Sequence, residues 1–462
     1  MAVPLPWAPV DPRDSPSGES RSSVASRLPA TLRSVGWVAG CIVGSGVLTY
    51  AYLALVARAL PADEYSWFGS YWSLALVIGF GAFLPVELEL ARLLSVRGRS
   101  RPLPRGTGIS LAGLTAAGAA VLLGSAAVLV PGLGGHPGFL VALLAVCAVA
   151  PGQFLLRGLL LGTGRLGAHG TVLLADSGLR VVFAAGLTVL VPDADAADYA
   201  WTLVAAMALA HLPYLLVALR GRPAGPRPRA RPERPADDSV RPFTRAIGHL
   251  LVGSLCAQVL LNAAPVLITA LADGGEQVVA AQFVASYTLV RLPLFVAVPL
   301  QSALIPLLTR LQAEGDAASL RRVVGRGLAA IAGVSLLGAG IGLLLGPGLV
   351  SLVFGERYAL SGSEIALLAV GSALHLGLLV ASQTLVASAR HRAVAVVWVS
   401  GLLVAGVLVV AVPDLVLRTG LAFTVGSGAA LAVAAWILLT AGSRHPADAA
   451  RSPLVSPGGT PT

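Results

Sequence analysis

Lysine is absent: all 32 basic residues are arginine. With 53 glycines and heavy use of Ala, Val and Leu, this marks a GC-rich bacterial coding bias, and no chemistry follows from it. Charge is scarce, at 12% of residues against about 25% in a soluble domain. Long hydrophilic blocks that could fold in water are missing. Cysteine is rare. Cys41, Cys147 and Cys256 each stand alone in an apolar run, without metal or disulfide spacing, and read as small core residues. A nucleotide-binding P-loop is missing, which excludes an ATPase of that type. So are metal-ligand clusters, and the loops carry no acidic or histidine cluster of the kind a membrane glycosyltransferase needs. Neither enzyme chemistry nor a cofactor nor a metal is expected. The net charge of +10 does not require nucleic acid, because it follows from where arginines sit relative to a membrane.

What the chain has in abundance is apolar length. Hydrophobic residues make up 56% of it, and the mean hydropathy is +0.82. About twelve spans fit. Six centre near Gly46, Leu76, Val121, Ala148, Phe183 and Ala210. Six more centre near Leu260, Leu294, Leu337, Ser372, Leu402 and Ala430. The connections alternate in charge. Arg92–Arg105, Arg157–Arg165, Arg220–Arg245, Arg310–Arg326 and Arg390–Arg392 form one set with the two termini. Asp63-Glu64, Asp193–Asp198, Asp273–Glu276, Glu356–Glu364 and Asp414 form the other. Arginine marks the cytoplasmic side, so both termini are expected there, in a bacterial cytoplasmic membrane.

The expected organisation has five parts. Residues 1–33 form a Pro- and Ser-rich cytoplasmic tail without the features of a signal peptide. Residues 34–220 form one six-helix bundle and 246–441 a second. Residues 221–245 form a Pro/Arg linker that cannot pack a core, and 442–462 a second tail. The halves echo each other. Phe68-Gly-Ser-Tyr71 returns as Phe283-Val-Ala-Ser-Tyr287, and the run ending at Arg165 returns in the run ending at Arg390. Such parallel repeats are a common transporter plan, with the substrate route between the halves.

Polar residues inside the spans are the candidate site. The stretch from Val278 to Pro306 is expected to be one kinked helix, broken by Pro293, Pro299 and Pro306. Arg291 falls near its middle with no acidic residue within a turn. A guanidinium at that depth costs about 3 kcal/mol or more if it faces lipid, so it faces protein or water. Two readings stand: it lines a polar cavity with Tyr287, Thr288 and Ser302, or it clamps carbonyls of the next helix. In the seventh span Ser254, Gln258, Asn262, Pro265 and Thr269 share one stripe, either a wet wall or interhelical hydrogen bonding. The first span has a milder stripe of Cys41, Ser45, Thr49 and Tyr52. Asp176 and Arg180, one turn apart in the fifth span, read as a self-neutralising pair or as an ion or proton coupling site. Glu87 and Glu89 are expected to snorkel or meet Arg92. Arg58 lies off the polar stripe, and His211, His249 and His375 read as structural.

Four stretches resemble a known family: Ala57–Leu74, Arg157–Gly170, Ala281–Asp316 and Leu352–Arg392, the last with its Phe354-Gly355 loop. In order and span count they resemble bacterial polysaccharide-export proteins of the multidrug/oligosaccharidyl-lipid/polysaccharide exporter superfamily. The resemblance implies an all-α membrane protein of two six-helix bundles around a central cavity open alternately to each face. It implies a flippase for lipid-linked sugars, with Arg291 matching a cavity arginine that meets the lipid's pyrophosphate.

The reading is therefore a flippase for a polyprenyl-linked oligosaccharide or similar anionic glycolipid, with membrane lipids around it and glycan-synthesis enzymes as possible partners. Arg291, Gln258, Asn262, Tyr287, Ser254, Ser45 and Thr49 would line the route. A cation-coupled drug exporter and a non-transporting scaffold in a glycan-synthesis complex are the alternatives. The orientation is directly testable. Cysteines placed at Gly225 and Ser456 should be shielded from an impermeant thiol reagent in intact cells, while one at Asp195 should be labelled. Labelling at Gly225 would reverse the topology.

Overall fold

A chain this apolar has to bond its own backbone within each segment, and every regular element among the described residues is helical. The computed structural model describes residues 19–97, 103, 106–220, 240–296, 308, 310–311, 314, 316–388 and 390–441. The first half holds α1 (Glu19–Ala59), α2 (Ala62–Leu76), a π-helical stretch (Val77–Phe83) and α3 (Leu84–Arg97). It continues through α4 (Gly106–Gly124), α5 (Ala126–Gly132), α6 (Pro137–Gly162), α7 (Leu166–Leu190) and α8 (Ala196–Arg220). The second half holds α9 (Val240–Leu271), α10 (Gln277–Val290), a 3₁₀ turn (Leu292–Val296) and α11 (Ala317–Leu344). It ends with α12 (Gly346–Phe354), a second 3₁₀ turn (Glu356–Tyr358), α13 (Gly362–Ala387), α14 (His391–Ala411) and α15 (Leu415–Ala441). Among the described residues, 11 stretches are long and apolar enough to cross a membrane. The chain is a multi-pass membrane protein, all-α, with about twelve membrane helices in two bundles.

Packing follows the two halves. In the first, α1 lies on α7, and α6 lies between α3 and α8. In the second, α13 lies between α11 and α15, and α14 joins α15 and α9. The halves meet where α2 and the π-helical stretch pack on α9, and α2 on α10. One apolar core crosses this seam, joining Phe68, Tyr71 and Phe83 of the first half to Phe283, Tyr287 and Phe423 of the second. Both sequence echoes are visible in space. Gly69 of the first echo faces Val284 of the second, and a Cβ at Gly69 would overlap the Val284 side chain. The other echo is a shared helix ending. Arg165 N donates to Leu160 O at 2.8 Å, and Arg390 N to Leu385 O at 3.0 Å. Gly164 supplies the left-handed turn in the first of these, at φ 70°.

In the described part of the eighth span the break at the first proline is complete: α10 stops at Val290, Arg291 is its C-cap, and a 3₁₀ turn follows. Pro293 explains the break, because it has no N–H for the Leu289 carbonyl and disfavours helix in the residue before it. The tail expected over residues 1–33 is helical from Glu19. Residues 221–239, 297–307 and 442–462 lie outside the described residues, and with them most of the linker, Pro299, Ser302, Pro306 and the second tail.

The π-helical stretch has a similar cause. Phe80 stands five residues before Pro85, the spacing of a π-type bond, and proline offers no N–H. The freed Phe80 carbonyl is met instead by Ser254 Oγ of α9 at 2.7 Å. Close packing at the seam predicts a sharp size limit. Gly69→Leu should lower the thermal stability of the detergent-solubilised protein by several degrees, from an overpacking cost of about 1–3 kcal/mol. Gly108→Ala, with nothing within 4 Å of its added Cβ, should not. Equal melting of the two variants would contradict the seam.

Candidate functional site

Ending α10 at Val290 leaves Arg291 at a helix C-terminus, where a cation is favoured. At 1.5 Å per residue it lies about 20 Å along from the start of α10. Its side chain is half-buried. Nη2 donates to Asn262 Oδ1 of α9 at 3.2 Å, and the guanidinium sits 5.3 Å from the centre of the Tyr287 ring. Asn262 is fully buried and is oriented in turn: its Nδ2 donates to Gln258 Oε1 at 2.9 Å and Gln258 O at 3.0 Å. Tyr287 is pinned by its hydroxyl, which donates to Leu261 O at 2.7 Å. From the first half, Tyr50 Oη donates to Thr288 O at 2.9 Å, one turn from Arg291.

The bond that holds Arg291 uses one of five N–H donors. Its partner is a side-chain amide, not a carbonyl of the next helix. No carboxylate among the described residues pairs with it. The contrast with other arginines is direct. Arg92 pairs with Glu89 at 2.7 Å, Arg310 with Glu314 at 2.7 Å and Arg157 with Glu87 at 3.0 Å, and Arg180 pairs with Asp176. Arg291 has no such pairing among the described residues, nor do Arg58, Arg357 and Arg418, which bond backbone carbonyls instead.

The other predicted residues do not all converge there. Ser45 bonds Ser177 of α7 at 2.6 Å, and Thr49 donates to Ser45 O at 2.8 Å, so both stay inside the first half. Beside Ser177 lies the Asp176–Arg180 pair, with Arg180 5.5 Å from the Trp72 ring centre. Asp176 Oδ1 and Arg180 Nε are buried without a further hydrogen-bond partner. In the seventh-span stripe, Ser254 bonds Phe80 O, Thr269 bonds Ser66 O at 3.2 Å, and Pro265 O accepts from Ser70 at 3.1 Å. These three are seam bonds to the opposite half, and only Gln258 and Asn262 turn toward Arg291. Of the two glutamates, Glu89 meets Arg92 as expected. Glu87 is buried against Arg157, whose guanidinium lies 5.4 Å from the Phe80 ring and 4.9 Å from the Phe154 ring.

Sequence reasoning missed Tyr50, which lies between Thr49 and Tyr52 but off the stripe of the first span. Its only local signal was a hydroxyl in an apolar run.

No family model matches the chain. An uncharacterized protein of Mycobacterium tuberculosis is 26% identical over 427 residues, 89% of this chain and 93% of its own. Another from that species is 28% identical over 432 residues with the same coverage. Among solved structures, an inward-facing multidrug resistance MATE family transporter of the MOP superfamily aligns at TM-score 0.64 and 14% identity. That alignment covers 86% of this chain and 95% of the transporter. The fold is that of the MATE transporters. A eukaryotic MATE transporter gives TM-score 0.55 at 13% identity over 89% of this chain and 97% of its own. A Vibrio cholerae MATE transporter in its bent form gives 0.52 at 14% over 88% and 97%. Identities this low carry the fold alone. In this MATE fold Arg291 sits between the halves, at the seam.

Accessibility separates the faces of α9. Gln258 is half-buried on the Arg291 side, while Val259, 37% exposed, points to the apolar exterior. A cysteine at Gln258 should react with a small charged thiol reagent, and one at Val259 should not. Equal rates at the two positions would remove the case for a water-reachable face.

Proposed function

We propose that this chain is a flippase that moves an anionic lipid-linked glycan precursor across a bacterial cytoplasmic membrane by alternating access. The observation that carries the reading is the unpaired Arg291. A half-buried guanidinium with free forked donors suits a phosphate or pyrophosphate, which accepts two parallel hydrogen bonds. Asn262, held by Gln258, fixes one edge of the guanidinium, and the Tyr287 ring supports a face of it. The cargo's phosphate would supply the missing counter-charge, while its lipid tail stays in the bilayer. Support also comes from the MATE fold, in which two bundles can part on either side, and from the resemblance of four stretches to polysaccharide exporters. Both termini would lie in the cytoplasm, beside the enzymes that build the glycan. The chain itself makes and breaks no covalent bond in this reading.

Drug export, suggested by the multidrug resistance named for one solved neighbour, is the competing reading. It favours an unpaired carboxylate for cation exchange. Asp176 is already paired with Arg180, so the drug reading needs that pair to open. In the flippase reading the same pair is the place where an ion or proton would couple.

The deciding measurement is lipid-linked glycan held at the inner leaflet, normalised to protein level. Arg291→Ala should reduce transport per molecule at least tenfold, the loss of about 1.4 kcal/mol or more of phosphate binding, while the protein still accumulates. Arg291→Lys should retain part of the activity, because charge survives without the fork. Normal transport per molecule in Arg291→Ala would reject the phosphate role.

A further inference from the structure

Two helices end on the acidic-loop face with their last carbonyls turned toward the opposite half. A helix leaves its final four carbonyls without intrahelical partners, and they carry its negative end. At the end of α12, in the second half, Leu352 O and Val353 O are bonded by Arg58 of the first half. The distances are 2.6 Å from Nη2 and 3.1 Å from Nε. At the end of α1, in the first half, Leu60 O and Ala57 O are bonded by Arg357 Nη2 of the second half at 2.8 and 3.2 Å. The fully buried Tyr358 adds its hydroxyl, 2.7 Å from Ala57 O and 3.2 Å from Leu60 O. Burial pushes that hydroxyl up to about 12, so it keeps its proton and donates. Each half thus caps a helix of the other. Gly355, at φ 116°, makes the turn that carries Arg357 and Tyr358 from the end of α12 back to α1.

Below this exchange the seam is sealed by rings. Tyr65 of α2 lies 5.1 Å from Tyr358 and 6.4 Å from Phe354, centroid to centroid. Ser66 donates to Gln277 of α10 at 2.9 Å. The capping arginines are exposed and their acceptors are neutral carbonyls. Separation therefore strands no buried charge, because each guanidinium passes directly to water. Such a contact holds two bodies together yet releases them at modest cost.

The geometry points to a latch: the reciprocal capping by Arg58, Arg357 and Tyr358 holds the acidic-loop face shut and must be undone for the halves to part there. This rests on the alternating-access reading, though not on the identity of the cargo. The test is made without substrate, so its failure is distinct from a failure of the phosphate reading at Arg291.

Nitroxide labels at Asp193→Cys in the first half and Gly274→Cys in the second report the opening of this face. Cys41, Cys147 and Cys256 are replaced by alanine, and the full chain is held in lipid nanodiscs for pulsed dipolar distance measurement. The parent protein should give one short distance. Arg58→Gln combined with Arg357→Gln removes four charge-assisted hydrogen bonds and should raise the long-distance population at least about tenfold, the effect of losing one of them. Arg418→Gln removes an arginine on the same face that bonds only its own half, through Pro413 O and Asp414 O, and should leave the distance unchanged. An unchanged distribution in the double variant overturns the latch, as does an equal shift in Arg418→Gln. If the double variant does not accumulate, Arg58→Lys and Arg357→Lys decide singly. Each keeps its charge but loses the forked reach, so a shift in distance supports the latch and an unchanged distance rejects it.

Discussion

Backbone carbonyls are the acceptors at the joint between the two halves, and in an apolar medium one left without a donor is costly. Pro85 frees Phe80 O, and Ser254 of the other half takes it. Pro265 O is met by Ser70, Ser66 O by Thr269 and Thr288 O by Tyr50. At the acidic-loop face the ends of α1 and α12 are met by Arg357, Tyr358 and Arg58. In each case a side chain of one half satisfies the backbone of the other. Hydrogen bonds of this kind in membranes are worth only about 0.6 kcal/mol each. Many weak bonds in register give a joint that is specific in position and still separable.

Charge is handled in the opposite way. Within each half it is neutralised locally, as in Glu87–Arg157 and Asp176–Arg180. Removing one partner of a buried pair costs about 3–5 kcal/mol, so these pairs stiffen the first half as a body. Arg291 breaks the pattern at the seam, where an exchange of partners is possible. Rigid bodies, a weakly bonded joint and a half-buried cation beside it are what the proposed carriage of an anion between two faces requires.

The same logic separates the polar residues of the seventh span. Ser254 and Thr269 bond backbone across the seam, while Gln258 and Asn262 form a short relay to a guanidinium. A stripe that looks uniform along one helix serves two purposes, because the neighbour it faces changes along its length. Ser45 and Thr49 differ again, since their stripe turns inward to Ser177 and away from Arg291.

The sequence by itself determined the number and kind of elements, the alternation of loop charge, the two echoes and the absence of a local partner for Arg291. These are properties of composition and of spacing along one chain, which hydropathy and helical periodicity read directly. It also placed Asp176 with Arg180, because a pair one turn apart needs no knowledge of fold. Tertiary structure decided which partner each remaining polar group meets. Glu87 finds Arg157 rather than Arg92, Tyr50 reaches Thr288, and Arg58, unremarkable along α1, caps a helix nearly 300 positions away, at |i−j| = 294. It also decided that α10 stops at Val290 with Arg291 as its C-cap, because several prolines could each have broken that helix. Helix-to-helix contacts depend on rotation and approach in space, and spacing along the chain carries neither.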